Sequence, residues 1–299
     1  MGNPSALRAA GVAAILAVLP AAASAHGVAG NRFFPATLTI DDPAVADEMS
    51  LPTVAYSEGD AAETSISGEY SKRLTPTFGL SAETGWVREK ASGASAASGF
   101  ENIETKAKWQ VLTSPEHEAI VSVGLSAEWG GTGASGIGAE RHDTFTPTLW
   151  FGKGAGEAPE ALAWARPLAL TGSLGYAVPA RRRDPGEAED NPRVIVWGLA
   201  LEYSLPYLQA HVRDVGLPSL LARLTPIIEA SLQTPVTGVD RTTTGTINPG
   251  LIWAGRRFQL VAEAMVPINA ASGRHVGAVI QLHMYLDDLL AHSLGKPIW

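Results

Sequence analysis

The amino-acid sequence predicts an all-β chain: a single antiparallel transmembrane β-barrel of about twelve strands with an N-terminal periplasmic or plug segment. Three observations carry that expectation. From Ile103 to Val111, Glu104, Lys106, Lys108 and Gln110 alternate with Ile103, Thr105, Ala107, Trp109 and Val111. Successive strand side chains point to opposite faces, so this ribbon is polar on one side and apolar on the other. The pattern recurs in segments of about ten residues, longer than the roughly five or six of a globular strand and close to the roughly nine to eleven that cross a bilayer. Finally, Trp86, Trp129, Trp150 and Trp253 fall near ribbon ends on the side assigned to lipid, where indoles favour the headgroup zone. A soluble β-sandwich would use shorter strands and put more Lys and Glu on its outward faces.

Residues 1–25 read as a cleaved signal peptide. Arg8 supplies the positive start, Ala9 to Leu19 is uninterruptedly apolar, Pro20 breaks the run, and Ala23-Ser24-Ala25 offers the small-residue cleavage site. The run falls short of the roughly 20 residues of a membrane-anchoring helix. Cleavage makes His26 the first residue. Hydrophobic residues make up 45% of the chain and the mean hydropathy is +0.07, a balance expected when half of every strand faces a polar lumen. The absence of cysteine excludes disulfides, thiolate zinc sites and cysteine nucleophiles. A net charge of −8 argues against a nucleic-acid partner. The one basic run, Arg181-Arg182-Arg183, precedes Asp184, Glu187, Glu189 and Asp190 and reads as a solvated loop.

Residues 26–50 lack two-residue periodicity and carry Pro35, Pro43, Asp41-Asp42 and Asp47-Glu48, so they form either a plug or a periplasmic lead-in. The barrel is expected over 51–286 and a C-terminal periplasmic tail over 287–299. Ribbons fall near 64–72, 77–87, 102–112, 118–129, 143–152, 167–177, 193–204, 223–233, 243–253, 256–267 and 275–286. In 118–129 the lipid face holds Ala119, Val121, Val123, Leu125, Ala127 and Trp129, against Glu118, Ser122, Gly124, Ser126 and Glu128. In 167–177 it holds Leu168, Leu170, Leu174 and Tyr176; in 275–286, Val276, Ala278, Ile280, Leu282 and Met284. Outer-membrane barrels place short turns inside and long loops outside. The short turn at 73–76 therefore requires a further strand, Leu51 to Ser57, ahead of the first ribbon, which makes the count even. The connection 205–222 carries Leu208, Val212, Val215, Leu217, Leu220 and Leu221, and reads as a short amphipathic helix at the inner rim.

The polar faces hold Glu69, Glu83, Glu104, Glu128, Glu202, Glu229 and Glu263, with Lys106, Lys108 and Arg257 as counter-charges and Gln110, Gln233, Gln259 and Gln281 as amides. These charged residues are the candidate lumen lining and selectivity set. Such carboxylates need partners or water. The lumen is therefore either filled by ion pairs or water-containing, with an acidic lining that favours cations or neutral polar solutes.

Other chemistry has weak support. His26, with His275 and His283, offers copper ligands, but no recognised histidine spacing accompanies them. Asp41-Asp42, Asp47-Glu48 and Asp287-Asp288 suit calcium only if the termini meet, and a solvated acidic surface is the plainer reading. No cofactor is implied. No G-x-S-x-G elbow is present, His117, His142 and His292 lie in connections or the tail, and interior His283 reads as a hydrogen-bonded filler, so no enzyme is expected. The glycine string from Gly130 to Gly138 lacks the Lys-Ser/Thr ending of a phosphate loop and reads as an outer loop.

The stretches HGVAGNRFFPATLTIDDPAVADEMSLPT (26–53) and YLDDLLAHSLGKPIW (285–299) resemble proteobacterial outer-membrane proteins grouped with the channels of the MetA pathway of phenol degradation. The resemblance implies a transporter-like barrel for small organic molecules and carries over no functional residue. Typical members end on an aromatic residue of the last strand, whereas here the strand ends near Tyr285 or Leu286 and thirteen residues follow it. Either Tyr285 serves the barrel-assembly machinery as an internal signal or the tail packs back on the inner rim. The expected function is passive passage of small solutes through the outer membrane, with lipid, the assembly machinery and the solute as partners. The alternative is a non-conducting structural or partner-binding barrel.

Overall fold

The computed structural model describes residues 27–59, 61–91 and 93–299. The expected leader and His26 lie outside the described residues. A two-stranded hairpin, β1 (Val28–Ala29) and β2 (Arg32–Phe33), comes first. The barrel follows: β3 (Glu48–Glu58), β4 (Ala61–Thr75), β5 (Phe78–Ala91), β6 (Ala97–Phe100), β7 (Ile103–Ser114), β8 (Ala119–Trp129), β9 (Thr144–Gly154), β10 (Leu168–Pro179), β11 (Val194–Tyr203), β12 (Leu224–Pro235), β13 (Thr244–Ala254), β14 (Phe258–Pro267) and β15 (Gly277–Tyr285). Each strand pairs antiparallel with its neighbour, and β15 closes on β3 with Tyr285 opposite Glu48. Both β6 and β7 pair with β5, at Trp86–Glu89 and Phe78–Glu83 respectively, so they share one stave and the barrel has twelve. Closure of β15 on β3 removes the long edges of the sheet, and the short β6 pairs on one side, to β5.

Alternation decides which side chains face out. Leu125 is 46% exposed, Leu170 40% and Ile280 57%, while their neighbours Ser126, Thr171 and Gln281 are buried. The soluble-sandwich reading is thereby removed. The stretch 88–101, between the expected ribbons 77–87 and 102–112, is a hairpin arm, because β5 runs to Ala91 and β6 pairs back on it. Trp150 corrects the sequence reading. It shares parity with Thr144, Thr146 and Thr148 and stands opposite the inward Ser122 and Ser173. It is therefore buried inside the barrel, with Lys108 Nζ 4.9 Å above its ring, and is no girdle residue.

The N-terminal residues 27–47 run inside the bore, in the half that carries the short turns. Apolar inward residues receive them in two clusters. Phe34 and Ala29 pack with Ile120 and Ala169. Ile40 and Leu38 pack with Ala200, Ile227, Ile252 and Val261. The approach is close enough to require glycine in the wall: a Cβ at Gly198 would overlap the Ile40 side chain, and one at Gly152 would stand 2.9 Å from Pro43.

At the short-turn rim the 205–222 connection is helical at its start, α1 (Leu205–Tyr207) and a wider turn over Leu208–Val212 with Tyr207 and Leu208 buried, and again in a single 3-10 turn at its end, Leu221–Arg223. After β15 comes α2 (Leu286–Leu289). The tail then folds back, with Lys72 Nζ donating to the carbonyls of Leu294 (2.9 Å) and Lys296 (2.7 Å) and the Trp299 amide donating to Leu74 (2.9 Å).

Candidate solute path

Strand register gathers four of the candidate glutamates. Glu69 stands opposite Glu83, Glu83 opposite Glu104, and Glu104 opposite Glu128, so β4, β5, β7 and β8 present one acidic rung to the bore. Lys106 stands beside this rung, 3.6 Å from Glu69. Its ammonium and that of Lys108 also grip Asp41 at 2.9 and 2.8 Å, which ties the N-terminal segment to this wall. Between the segment and the wall lies a cavity of about 320 Å³, lined by Asp41, Glu48, Glu69, Glu83, Lys106 and His283 among others. His283 Nε2 donates to the Glu48 carboxylate at 3.1 Å and is the hydrogen-bonded filler that the sequence suggests.

The other three glutamates stand on strands elsewhere around the barrel, β11, β12 and β14. Glu229 is fully buried. Its carboxylate accepts the amides of Leu38 (3.0 Å), Thr39 (2.8 Å) and Ile40 (3.3 Å) and the Thr39 hydroxyl. It clamps the segment and does not line a path. Glu202 and Glu263 are also buried.

Arg257 is the misplaced member of the set. It is exposed in the 255–257 turn at the short-turn rim, because β14 begins at Phe258, two residues later than the expected ribbon. Of the amides, Gln110 accepts the Val45 amide at 3.0 Å and Gln259 bonds Ala36 and Tyr285, whereas Gln233 is exposed at the long-loop end.

Sequence reasoning missed two residues that anchor the segment. Arg32 is fully buried, bonds Glu118 (3.3 Å), the Pro167 carbonyl (2.9 Å) and the Arg166 carbonyl, and lies 4.0 Å over the Tyr207 ring. Glu118 also accepts the Tyr207 hydroxyl at 2.7 Å and the Gly156 amide at 3.0 Å. Its left-handed backbone (φ 45°) closes the 115–118 turn and is held by those bonds. A lone arginine in the otherwise uncharged stretch 27–40 was the available signal.

The termini do meet, but cations of the chain already occupy that place. Asp47 is fully buried against Lys72 (2.6 Å) and Arg73 (2.8 Å), and Arg73 reaches Asp287 at 3.8 Å. The calcium reading therefore fails there. His275 lies in the bend before β15 and His283 near the strand's far end, six residues of extended chain past Gly277 or roughly 20 Å along, too far to share an ion.

No family model and no curated protein matches the chain. Among solved structures the chain is similar to an outer-membrane channel from Pseudomonas putida F1, at 12% identity and a TM-score of 0.55 over 84% of this chain and 99% of that one. It is also similar to the NanC porin, at 10% identity and a TM-score of 0.50 over 79% of this chain and 98% of that one. At such identities the likeness is one of fold. The fold is that of outer-membrane β-barrels.

Proposed function

We propose that this protein is an outer-membrane channel that passes small neutral or cationic polar solutes, with residues 27–47 narrowing the inner half of its bore. The observation that supports this most is the rung Glu69–Glu83–Glu104–Glu128 beside a cavity of about 320 Å³. A row of four carboxylates with one ammonium beside it raises local cation concentration in a wet bore and repels anions. The solved porin and channel of similar fold, and the leader with its Ala23-Ser24-Ala25 cleavage site, support export to that membrane. The resemblance to channels of the MetA pathway favours small organic molecules that carry polar groups. Lys106 and Lys108 act here as anchors for Asp41 as much as selectivity residues.

The test is planar-bilayer recording on the folded, full chain under a salt gradient. A small cation-selective current is expected. If neither the full chain nor a chain lacking residues 27–46 carries current, the non-conducting barrel is the correct reading. The dense bonding of the segment around Glu229 and Arg32 is what favours that second reading.

A further inference from the structure

At the long-loop end, two connections that the proposed path does not use converge on one imidazole. The loop 130–143 between β8 and β9 contributes Glu140 and His142, and the loop 180–193 between β10 and β11 contributes Asp184. His142 Nδ1 lies 2.7 Å from Asp184 Oδ2 and 3.7 Å from Glu140 Oε2. One ligand atom of each residue lies within 4.8 Å of the others. Among the described residues, this is the cluster of histidine and carboxylate groups with a metal-binding arrangement.

A second observation points to a ligand. The Asp184 side chain is 5% exposed, yet its Oδ1 has no hydrogen-bond partner, an arrangement that costs free energy unless something binds there. The backbone around the cluster is built. Gly130 donates to Asp143 Oδ1 (3.0 Å), Ala180 to the Asp143 carbonyl (2.7 Å), and the Asn102 amide to the Glu140 carbonyl (3.0 Å).

We propose that Glu140, His142 and Asp184 bind one divalent cation of the zinc class and that the ion ties the 130–143 loop to the 180–193 loop over the outer mouth. The donor set decides the class. One imidazole and two carboxylates suit zinc and its neighbours, whereas calcium takes oxygen ligands alone. Tetrahedral bonds of about 2.1 Å put ligand atoms roughly 3.4 Å apart. The separations of 2.7 and 3.7 Å bracket that value, so small side-chain shifts admit the ion. In the metal-free state the short His142–Asp184 contact is bridged by a proton on Nδ1. When the ion binds, the neutral ring takes the Nε2–H tautomer, which frees the Nδ1 lone pair to ligate, and water fills the fourth position. An adjoining cavity of about 370 Å³, lined by Glu140, Asp184, Glu187 and Glu189 among others, gives the ion an acidic approach.

The experiment titrates Zn²⁺ alone into the folded, full-length barrel against a chromophoric chelator. It then repeats the titration with His142→Ala and Asp184→Asn, with heat-modifiable gel mobility as the check of folding. One site is expected whose affinity drops about tenfold or more in either variant, and by less in Glu140→Gln, because Glu140 is exposed. A second readout uses the wild-type chain only. The 180–193 loop carries Arg181, Arg182 and Arg183, so trypsin cleavage there should slow several-fold with Zn²⁺ and stay unchanged with Ca²⁺. Zinc binding that is equally strong in both variants overturns the proposal. So does a wild-type loop whose cleavage rate ignores zinc.

Discussion

The inner and outer halves of the bore share one alternation rule and yet behave as different materials. In the inner half the inward positions include Ile120, Ala169, Ala200, Ile227, Ile252 and Val261, all buried against Phe34, Leu38 and Ile40. In the outer half they are Glu83, Glu104, Glu128 and Thr144, all partly open to the lumen. A bore filled by its own chain obeys the rules of a protein core, with close packing and paired polar groups. A bore facing water obeys those of a surface. The largest effect that tests this contrast is removal of residues 27–46, sparing Asp47 because Lys72 and Arg73 depend on it. Single-channel conductance should rise several-fold, and thermal unfolding should come earlier as an apolar inward ring meets water. An unchanged conductance would show that the segment does not narrow the path.

Within the inner half, Glu229→Ala should have the next largest effect. It leaves the amides of Leu38, Thr39 and Ile40 without their acceptor, at about 1–3 kcal/mol for each one that water does not reach. The variant should show current fluctuations that the wild type lacks, as the segment detaches intermittently; a quiet trace would break the clamp argument. A smaller effect belongs to Ile252→Val, whose side chain is fully buried beside Ile40. Deleting one methylene there should cost about 0.5–1.5 kcal/mol in denaturant unfolding. The same change at its outward neighbour Leu251, 50% exposed, should cost less. Equal costs at the two positions would erase the distinction between core-like bore and outer wall.

Strand number, closure and facing were legible in the sequence because alternation over ten residues is a strong local signal. The filled inner half was legible in part. Ile120, Ile227, Ile252 and Val261 interrupt otherwise polar faces, always toward the short-turn end, and such interruptions mark where something apolar must be received. Trp150 was misread because nearness to a ribbon end outweighed its parity with Thr148. Arg257 was misread because a boundary shift of two residues moves a side chain from wall to turn. The acidic rung was hidden for a different reason. Which glutamates become neighbours depends on register, and register is set jointly by turn length and by a bulge between Gln110 and Leu112. The Asp41 clamp spans 65 residues to Lys106, a separation that no local pattern encodes.

The smallest expected effect lies in the outer half, and it completes the contrast. Glu104→Gln removes one charge from the rung without removing volume, at a site that borders the open bore. Surface-like positions change stability by about 0.5 kcal/mol or less, so the unfolding midpoint should stay put. The reversal potential in a salt gradient should instead move a little toward zero, since three carboxylates of the rung remain. Screening sharpens the point: with a Debye length of about 10 Å at 0.1 M and about 3 Å at 1 M, the shift should shrink in concentrated salt. Glu229→Ala acts through lost hydrogen bonds and should be nearly indifferent to salt. If Glu104→Gln destabilised the barrel as much as Glu229→Ala does, the outer half would also be packed, and the division between a core-like and a water-like bore would fail.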